Sequence, residues 1–325
     1  MSLSVPVSSH RRPSGTVVTV VDDLPDWLPS WCVDQLGDEP VDVLFEARSI
    51  SAVFGLRLAD GRDVVVKARE DDGRAASCVA AQAQLAERGF PCARPLTPVT
   101  GVGALAVHAE ESLPGGSMLP GSSPDVARRY AAVFARLMAL LVDVSVAPPL
   151  PSPRWARWDH TDPGLWPAID FLDSRDQSVV PSFVVSMAER VRKRLLATDL
   201  PCVLGHADFE AQNLRWQDGE VLAVHDWDSL ARQPEAALVG AASGAFANVP
   251  PPSLVPVESS AAFLEVYQEQ RGREFTAEEL EIAWAASLWT AVHNARWEAL
   301  HGDAPVSLEA VRDQADERLR LANAT

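Results

Sequence analysis

The chain has 325 residues, 47% hydrophobic and 22% charged, which fits a soluble globular protein of one large or two modest domains. Its 28 basic and 45 acidic residues leave a formal charge of -17. That argues against nucleic acid or an anionic membrane as partner, because phosphates would repel it; it suits a cationic ligand, and equally serves solubility.

The first residues, 1–15, are small, polar and proline-bearing, so poor order is expected there. Residues 41–46 and 52–58 read as short strands, Asp60-Gly61 as a hairpin turn, and DVVVKA (63–68) as a β-branched strand with Lys67 near its end. A helix is expected over about 74–88, stopped by Gly89 and Pro91. Residues 105–108 read as another strand, and Leu113-Pro114-Gly115-Gly116 breaks the regular structure. Beyond it the pattern is mainly helical. Ser123-Pro124-Asp125 is a helix start, and Val126, Tyr130, Phe134, Leu137 and Leu141 follow at helical spacing. Further helix is expected over 170–172 and 183–196, and Thr276 with Glu279 has the capping-box spacing that opens a long helix toward Leu300. Two proline clusters, Pro148 to Pro153 and Pro250 to Pro256, read as extended connections. Strands first and helices later make an α+β chain of two lobes: an N-lobe over 16–112 and a helical C-lobe over 113–325.

Four cysteines, Cys32, Cys78, Cys92 and Cys202, show no CxxC spacing, so free thiols in a reducing, cytoplasmic setting are expected. No apolar stretch approaches the roughly 18 residues of a membrane span.

Two runs carry chemistry. LGHADFEAQNL (204–214) and AVHDWD (223–228) are separated by a turn at 217–220 flanked by apolar residues. A hairpin there would bring Asp208, Asn213 and Asp226 together. Phosphoryl transfer needs such a set: a carboxylate to take the acceptor's proton, and oxygen ligands for a magnesium ion that bridges the phosphates. A lysine on an upstream strand should hold the phosphates, and Lys67 is so placed. Asp226 ends an apolar run, where an acid costs free energy unless it is bonded or metal-bound. Trp227, Trp289 and Trp297 read as core more readily than as a substrate platform.

With His206-Ala207-Asp208, four residues, Asn213, and then His225-Asp226-Trp227-Asp228, the chain resembles the aminoglycoside phosphotransferase family of protein-kinase-like enzymes. The ordered set Lys67, Asp208, Asn213, Asp226 and the hinge-like Leu113 to Gly116 carry the resemblance over about 42–300. It implies a two-lobed protein-kinase-like fold with an antiparallel-sheet N-lobe. It implies Asp208 as catalytic base, His206 as the residue ordering the catalytic loop, Asn213 and Asp226 as Mg2+ ligands, and Lys67 on the α- and β-phosphates. Backbone around Glu110 to Ser112 would face the adenine or guanine, and Ser49 and Ser51 lie where the phosphate-covering loop should be, though no GxGxxG is present. Asn294 and Glu298, late in the long helix, would line the acceptor pocket; Asp228 is a substrate group or a cap. Two positions depart from the family. Ala207 stands for the usual glycine. The helix over 74–88 offers Cys78, Gln82 and Gln84 where a glutamate should pair with Lys67, and its only acid, Glu87, is near the end.

The resemblance implies ATP or GTP as donor and a small molecule as acceptor, an aminoglycoside-like or other cationic antibiotic first, or else choline, homoserine, methylthioribose or a sugar. A catalytically impaired nucleotide-binding module is the non-enzymatic alternative. A transition-metal hydrolase built on the same acids with His206 and His225 lacks HxH or HExxH spacing, and no GxSxG supports acyl transfer. Oligomeric state is left open.

Overall fold

The computed structural model describes residues 24–48, 51–146, 150, 152–249, 251 and 253–324. The stretch 1–15, Ser49, and Pro148, Pro149, Pro151, Pro250 and Pro252 lie outside the described residues.

The N-lobe is a five-stranded antiparallel sheet in the order β1 (Pro40–Arg48), β2 (Ala52–Leu58), β3 (Asp63–Glu70), β5 (Leu105–Glu111), β4 (Thr100–Val102). The Asp60-Gly61 turn joins β2 to β3, with Gly61 at φ 90°. In β3 every residue from Val64 to Arg69 is buried, because both faces of the strand are covered. One face packs on α1 (Trp27–Leu36), which buries Leu28, Trp31 and Cys32 against Phe54, Leu56, Val64 and Val66. This helix was not foreseen in the sequence: it has only ten residues and carries Pro29 in its first turn.

The expected second helix is α2 (Ala75–Glu87), closed by Gly89 at φ 74°. Its buried Cys78, Ala81 and Leu85 join the larger core of the C-lobe rather than the core between α1 and the sheet. Arg74, just before it, donates to the carbonyls of Asp228 and Leu230 and so pins the helix start to the C-lobe segment 228–230.

A linker leads from β5 to α3 (Pro124–Leu141), whose cap is Ser123 accepting from the Val126 N–H, as the sequence suggested. Within it Ser117 forms a two-bond bridge with Trp216, at 2.9 and 2.7 Å. The helical lobe continues with α4 (Asp170–Asp173), α5 (Ser182–Leu196), α6 (Glu235–Ala245), α7 (Val257–Arg271), α8 (Ala277–His301) and α9 (Val306–Leu321). The capping box at Thr276 and Glu279 is formed. Helix α6 crosses α8 at backbone contact: a Cβ on Gly240 would lie 2.1 Å from the Ala283 carbonyl oxygen. Four short strands sit between α5 and α6. The outer pair, β6 (Cys202–His206) and β9 (Leu230–Pro234), run antiparallel, and the inner pair, β7 (Leu214–Gln217) and β8 (Glu220–Val224), form the expected hairpin. Among the described residues no helix is long and apolar enough to cross a membrane, and Cys32, Cys78 and Cys92 are free and buried.

Candidate active site

The nested strand pairs bring the two sequence runs together. β6 leads into the loop holding Asp208 and Asn213; the hairpin turns at Asp218 (φ 51°) and Gly219 (φ 88°); β8 leads back to Asp226. The loops are stitched by His225 N–H to Asn213 O at 2.8 Å and Ala207 N–H to Ser229 O at 2.9 Å. Ala207 does not take a positive φ, so its Cβ is accommodated where the family has glycine. Asp226 does, at φ 60°, a conformation costly for most residues and tolerated by Asp.

His206 is 1% exposed and bridges the two loops: Nε2 donates to the His225 carbonyl (3.0 Å) and Nδ1 accepts the Asp208 N–H (3.2 Å). Burial holds its pKa below the usual value despite nearby Asp226, so it stays neutral and keeps both bonds. Asn213 Nδ2 donates to both the backbone oxygen and Oδ2 of Asp208, each at 2.9 Å, which leaves its own Oδ1 on the opposite side of the amide. Asp226 accepts from Ser229 Oγ through Oδ2 (2.6 Å). The Asp208 carboxyl is pushed well above the usual range, first by burial and then by the charges of Glu210 and Asp226, with Asn213 opposing.

Across the cleft Lys67 has a carboxylate partner after all. Its Nζ lies 2.8 Å from Oε1 of Glu110, on β5, and Oε2 of Glu110 accepts from Gln82 Nε2 at 2.8 Å. Val65 stands opposite Glu110 in the sheet, so Lys67 is its diagonal neighbour on the same face. Gln82, on α2, also donates to the Ala93 carbonyl. Burial acts to lower the Lys67 pKa; Glu110, Asp228 and Asp226 outweigh it and hold the pKa above its usual value. In turn Lys67 and Gln82 outweigh burial and keep Glu110 ionised. Asp228 is taken by Arg69, 3.0 Å away, in a second buried pair.

These groups line one cleft between the lobes, of about 1520 Å³. Lys67, Ser51, Glu110, Ser112, Asp208, Asn213, Asp226, Asp228 and Asn294 all face it. Glu298 does not: it is 3% exposed, and its carboxylate accepts from the Ser307 and Leu308 N–H groups at 2.7 and 2.9 Å, capping α9. The expectation that it lines the acceptor pocket is therefore corrected; helix N-termini attract such a carboxylate. Glu110 is likewise engaged through its side chain, not only through the backbone expected to face the base.

A family model described as the phosphotransferase enzyme family (APH) matches residues 45–237, more than half of the chain, which includes Ser51, Lys67, Glu110, Ser112, Asp208, Asn213, Asp226 and Asp228 but not Asn294 or Glu298. The chain belongs to this family. No curated protein matches it. Solved structures similar to the phosphotransferase include an amicoumacin kinase in complex with AMP-PNP, Ca2+ and Ami, at 15% identity and TM-score 0.59, over 87% of this chain and 88% of that one. A spectinomycin phosphotransferase in complex with ADP and spectinomycin aligns at 12% and 0.54, over 92% and 98%. A macrolide 2'-phosphotransferase from Brachybacterium faecium aligns at 18% and 0.53, over 92% and 98%. At such identities the likeness is one of fold, and it is the two-lobed protein-kinase-like fold.

Three contributors to the phosphotransferase cleft escaped the sequence reading, Arg69, Glu210 and Asn248, and Gln82 was noted only as standing where an acid was expected. Glu210 is 5% exposed; Asn248 Nδ2 donates to its Oε1 (2.8 Å) and Gln212 Nε2 to its Oε2 (2.9 Å). Burial pushes its pKa up to about 7. The signal for Glu110 was present: an acid inside the apolar run LAVHAEE raises the same question that singled out Asp226.

Proposed function

We propose that the protein transfers the γ-phosphate of ATP or GTP to a hydroxyl of a small molecule in the cytoplasm, with Mg2+, and that the acceptor is cationic and antibiotic-like. The observation that carries this reading is the convergence of Asp208, Asn213 and Asp226 on one side of the cleft with a paired, charged Lys67 on the other. The chemistry of the donor set suits the metal. Asn213 Oδ1 and Asp226 Oδ1 are hard oxygens, and among the described residues no three His, Cys, Asp or Glu side chains gather into a metal cage. An ion held by two protein oxygens and completed by phosphates and water is how Mg2+ binds in kinases. Bound there, it would screen the phosphates during transfer.

Lys67, fixed by Glu110, supplies positive charge to the phosphates. Asp208, with Oδ2 anchored by Asn213, presents its other oxygen to the acceptor hydroxyl, orients it for in-line attack and takes its proton. Its raised pKa suits a group that must accept a proton. The formal charge of -17 favours a cationic acceptor over an anionic one. The test is transfer from labelled ATP and GTP, with magnesium, over aminoglycosides, macrolides, choline, homoserine and sugars, with Asp208→Ala alongside. Acceptor-dependent labelling that disappears in the variant supports the reading; labelling that survives it removes Asp208 from the mechanism.

A further inference from the structure

On the helical lobe the cleft is lined by one face of α8. Ala286, Trp289, Thr290, His293, Asn294 and Trp297 recur at spacings of three and one along it. None of them carries a charge at neutral pH: burial, with Arg296 nearby, pushes His293 down to about 4. Trp155 and Phe171, from the connection between α3 and α5, line the same cleft. Phe171 and Trp297 meet edge to face at 5.5 Å, yet they are 48% and 37% exposed. Large rings left half in water at the mouth of a functional cleft mark a binding surface. Trp289 is 3% exposed and backed by Trp166, 5.8 Å away, so this side of the wall is stiff.

Among the described residues, unengaged carboxylates besides Asp208 are scarce at this end. Both oxygens of Glu210 are taken by Asn248 and Gln212, and Asp228 is held by Arg69, which leaves the exposed Asp170. Arg154 adds a positive charge, its guanidinium donating to the Ala168 carbonyl. A polyamine needs several unengaged acids to replace its water; this wall does not offer them. Ring faces offer something else. They bury apolar bodies, and their negative π-faces attract a single weakly hydrated ammonium.

We propose that the acceptor is a hydroxylated amine with a bulky ring-containing body and one basic nitrogen, seated against the exposed rings of Trp297 and Phe171, with buried Trp289 supporting the wall behind, rather than a polyamine. The proposal rests on the phosphotransferase reading above and narrows the cationic acceptor drawn from net charge.

The experiment pairs binding with turnover on the full chain. Erythromycin and lincomycin, each with one basic nitrogen, and kanamycin, with several, are titrated calorimetrically in the presence of AMP-PNP and magnesium. Phosphate transfer from ATP and GTP is then measured with each. The expected result is kcat/KM for a one-nitrogen probe at least about tenfold above that for kanamycin. Phe171→Ala and Trp297→Ala, both at exposed positions, are expected to raise that probe's KM about tenfold, with the effect on the acceptor's KM and not on the nucleotide's. Equal or better use of kanamycin overturns the proposal. So does an acceptor KM unmoved by both substitutions, and so does failure of both one-nitrogen probes to bind while AMP-PNP and magnesium bind. Failure of AMP-PNP to bind with magnesium overturns the phosphotransferase reading itself, and this proposal with it.

Discussion

Asp208 works in a setting that makes its proton affinity adjustable. Its carboxyl shares a small volume with Glu210 and Asp226, and only the Asn213 amide favours its charged form. Asp208→Asn removes the proton acceptor while keeping shape, so kcat should fall by about 10²–10⁴ with nucleotide affinity retained; a kcat within a few-fold of wild type would remove the base assignment. The pH dependence has a definite sign. In the proposed mechanism the base acts deprotonated, so the rate should fall as pH drops through its raised pKa, with the acidic limb above the ordinary carboxylate range. Glu210 is negative as pH rises through its own value of about 7, so Glu210→Gln takes away a charge from the upper part of that limb, lets Asp208 lose its proton more easily there and moves the limb to lower pH. Asn248 is fixed by the Ser253 N–H on its Oδ1, while Gln212 can turn its amide to match the new side chain, so the loop keeps its bonds. A pH–rate profile of kcat/KM compares the two proteins; superimposable limbs would show that Glu210 does not tune the base.

Among the elements, the sheet rather than a helix carries both halves of the Lys67 pair. In β3 and β5 the two side chains are fixed by strand register, so the pair does not depend on the position of α2. Helix α2 contributes Gln82, which steadies the second carboxylate oxygen. Glu110→Gln leaves a buried lysine without its counter-ion, at a cost of about 3–5 kcal/mol divided between fold stability and nucleotide binding. Adding Gln82→Glu to that variant returns a carboxylate 2.8 Å from the same spot, with the amide now on β5. Denaturation midpoints and nucleotide KM should both recover in the double variant; no recovery would mean that the strand position of the acid is essential. The contact of α6 with α8 permits no such exchange. Gly240→Ala drives a Cβ into the Ala283 carbonyl, a backbone atom that cannot rotate away, and should cost about 1–3 kcal/mol in thermal denaturation.

Over the whole molecule, two cores meet at the cleft. The smaller lies between α1 and the sheet; the larger unites α2 with the helical lobe. The N-lobe is therefore tied to the C-lobe on two sides. One tie is α2, with Arg74 reaching the Asp228 and Leu230 carbonyls. The other is the linker, with Gly115 and Gly116 at φ 96° and 67° just before the Ser117 bridge to Trp216. Gly116→Ala must hold a Cβ at positive φ while it lies 3.1 Å from Arg215 Cβ and from Leu222 Cδ2. Lobe spacing sets the distance from Lys67 to Asp208, so this variant should lose stability by about 1–2 kcal/mol and raise the nucleotide KM. An unchanged KM in a destabilised protein would confine the effect to the linker.

The amino-acid sequence by itself determined the features that depend on neighbours along the chain. The β-branched run of β3, the Ser123 and Thr276 caps, the turn at 217–220, and the spacing of Asp208, Asn213 and Asp226 all express local geometry. Tertiary structure decided what depends on register and packing. Which acid serves Lys67 depended on how β5 pairs with β3, because the same glutamate one residue away would face the other side. Glu298 reads in sequence like any acid late on a helix; only the docking of α9 makes it a cap. The allegiance of α2 was hidden because its short apolar face, Cys78, Ala81 and Leu85, fits either lobe. Trp289 is core, as read, while Trp297 is left 37% exposed at the cleft, where it meets only the edge of Phe171 from the connection between α3 and α5.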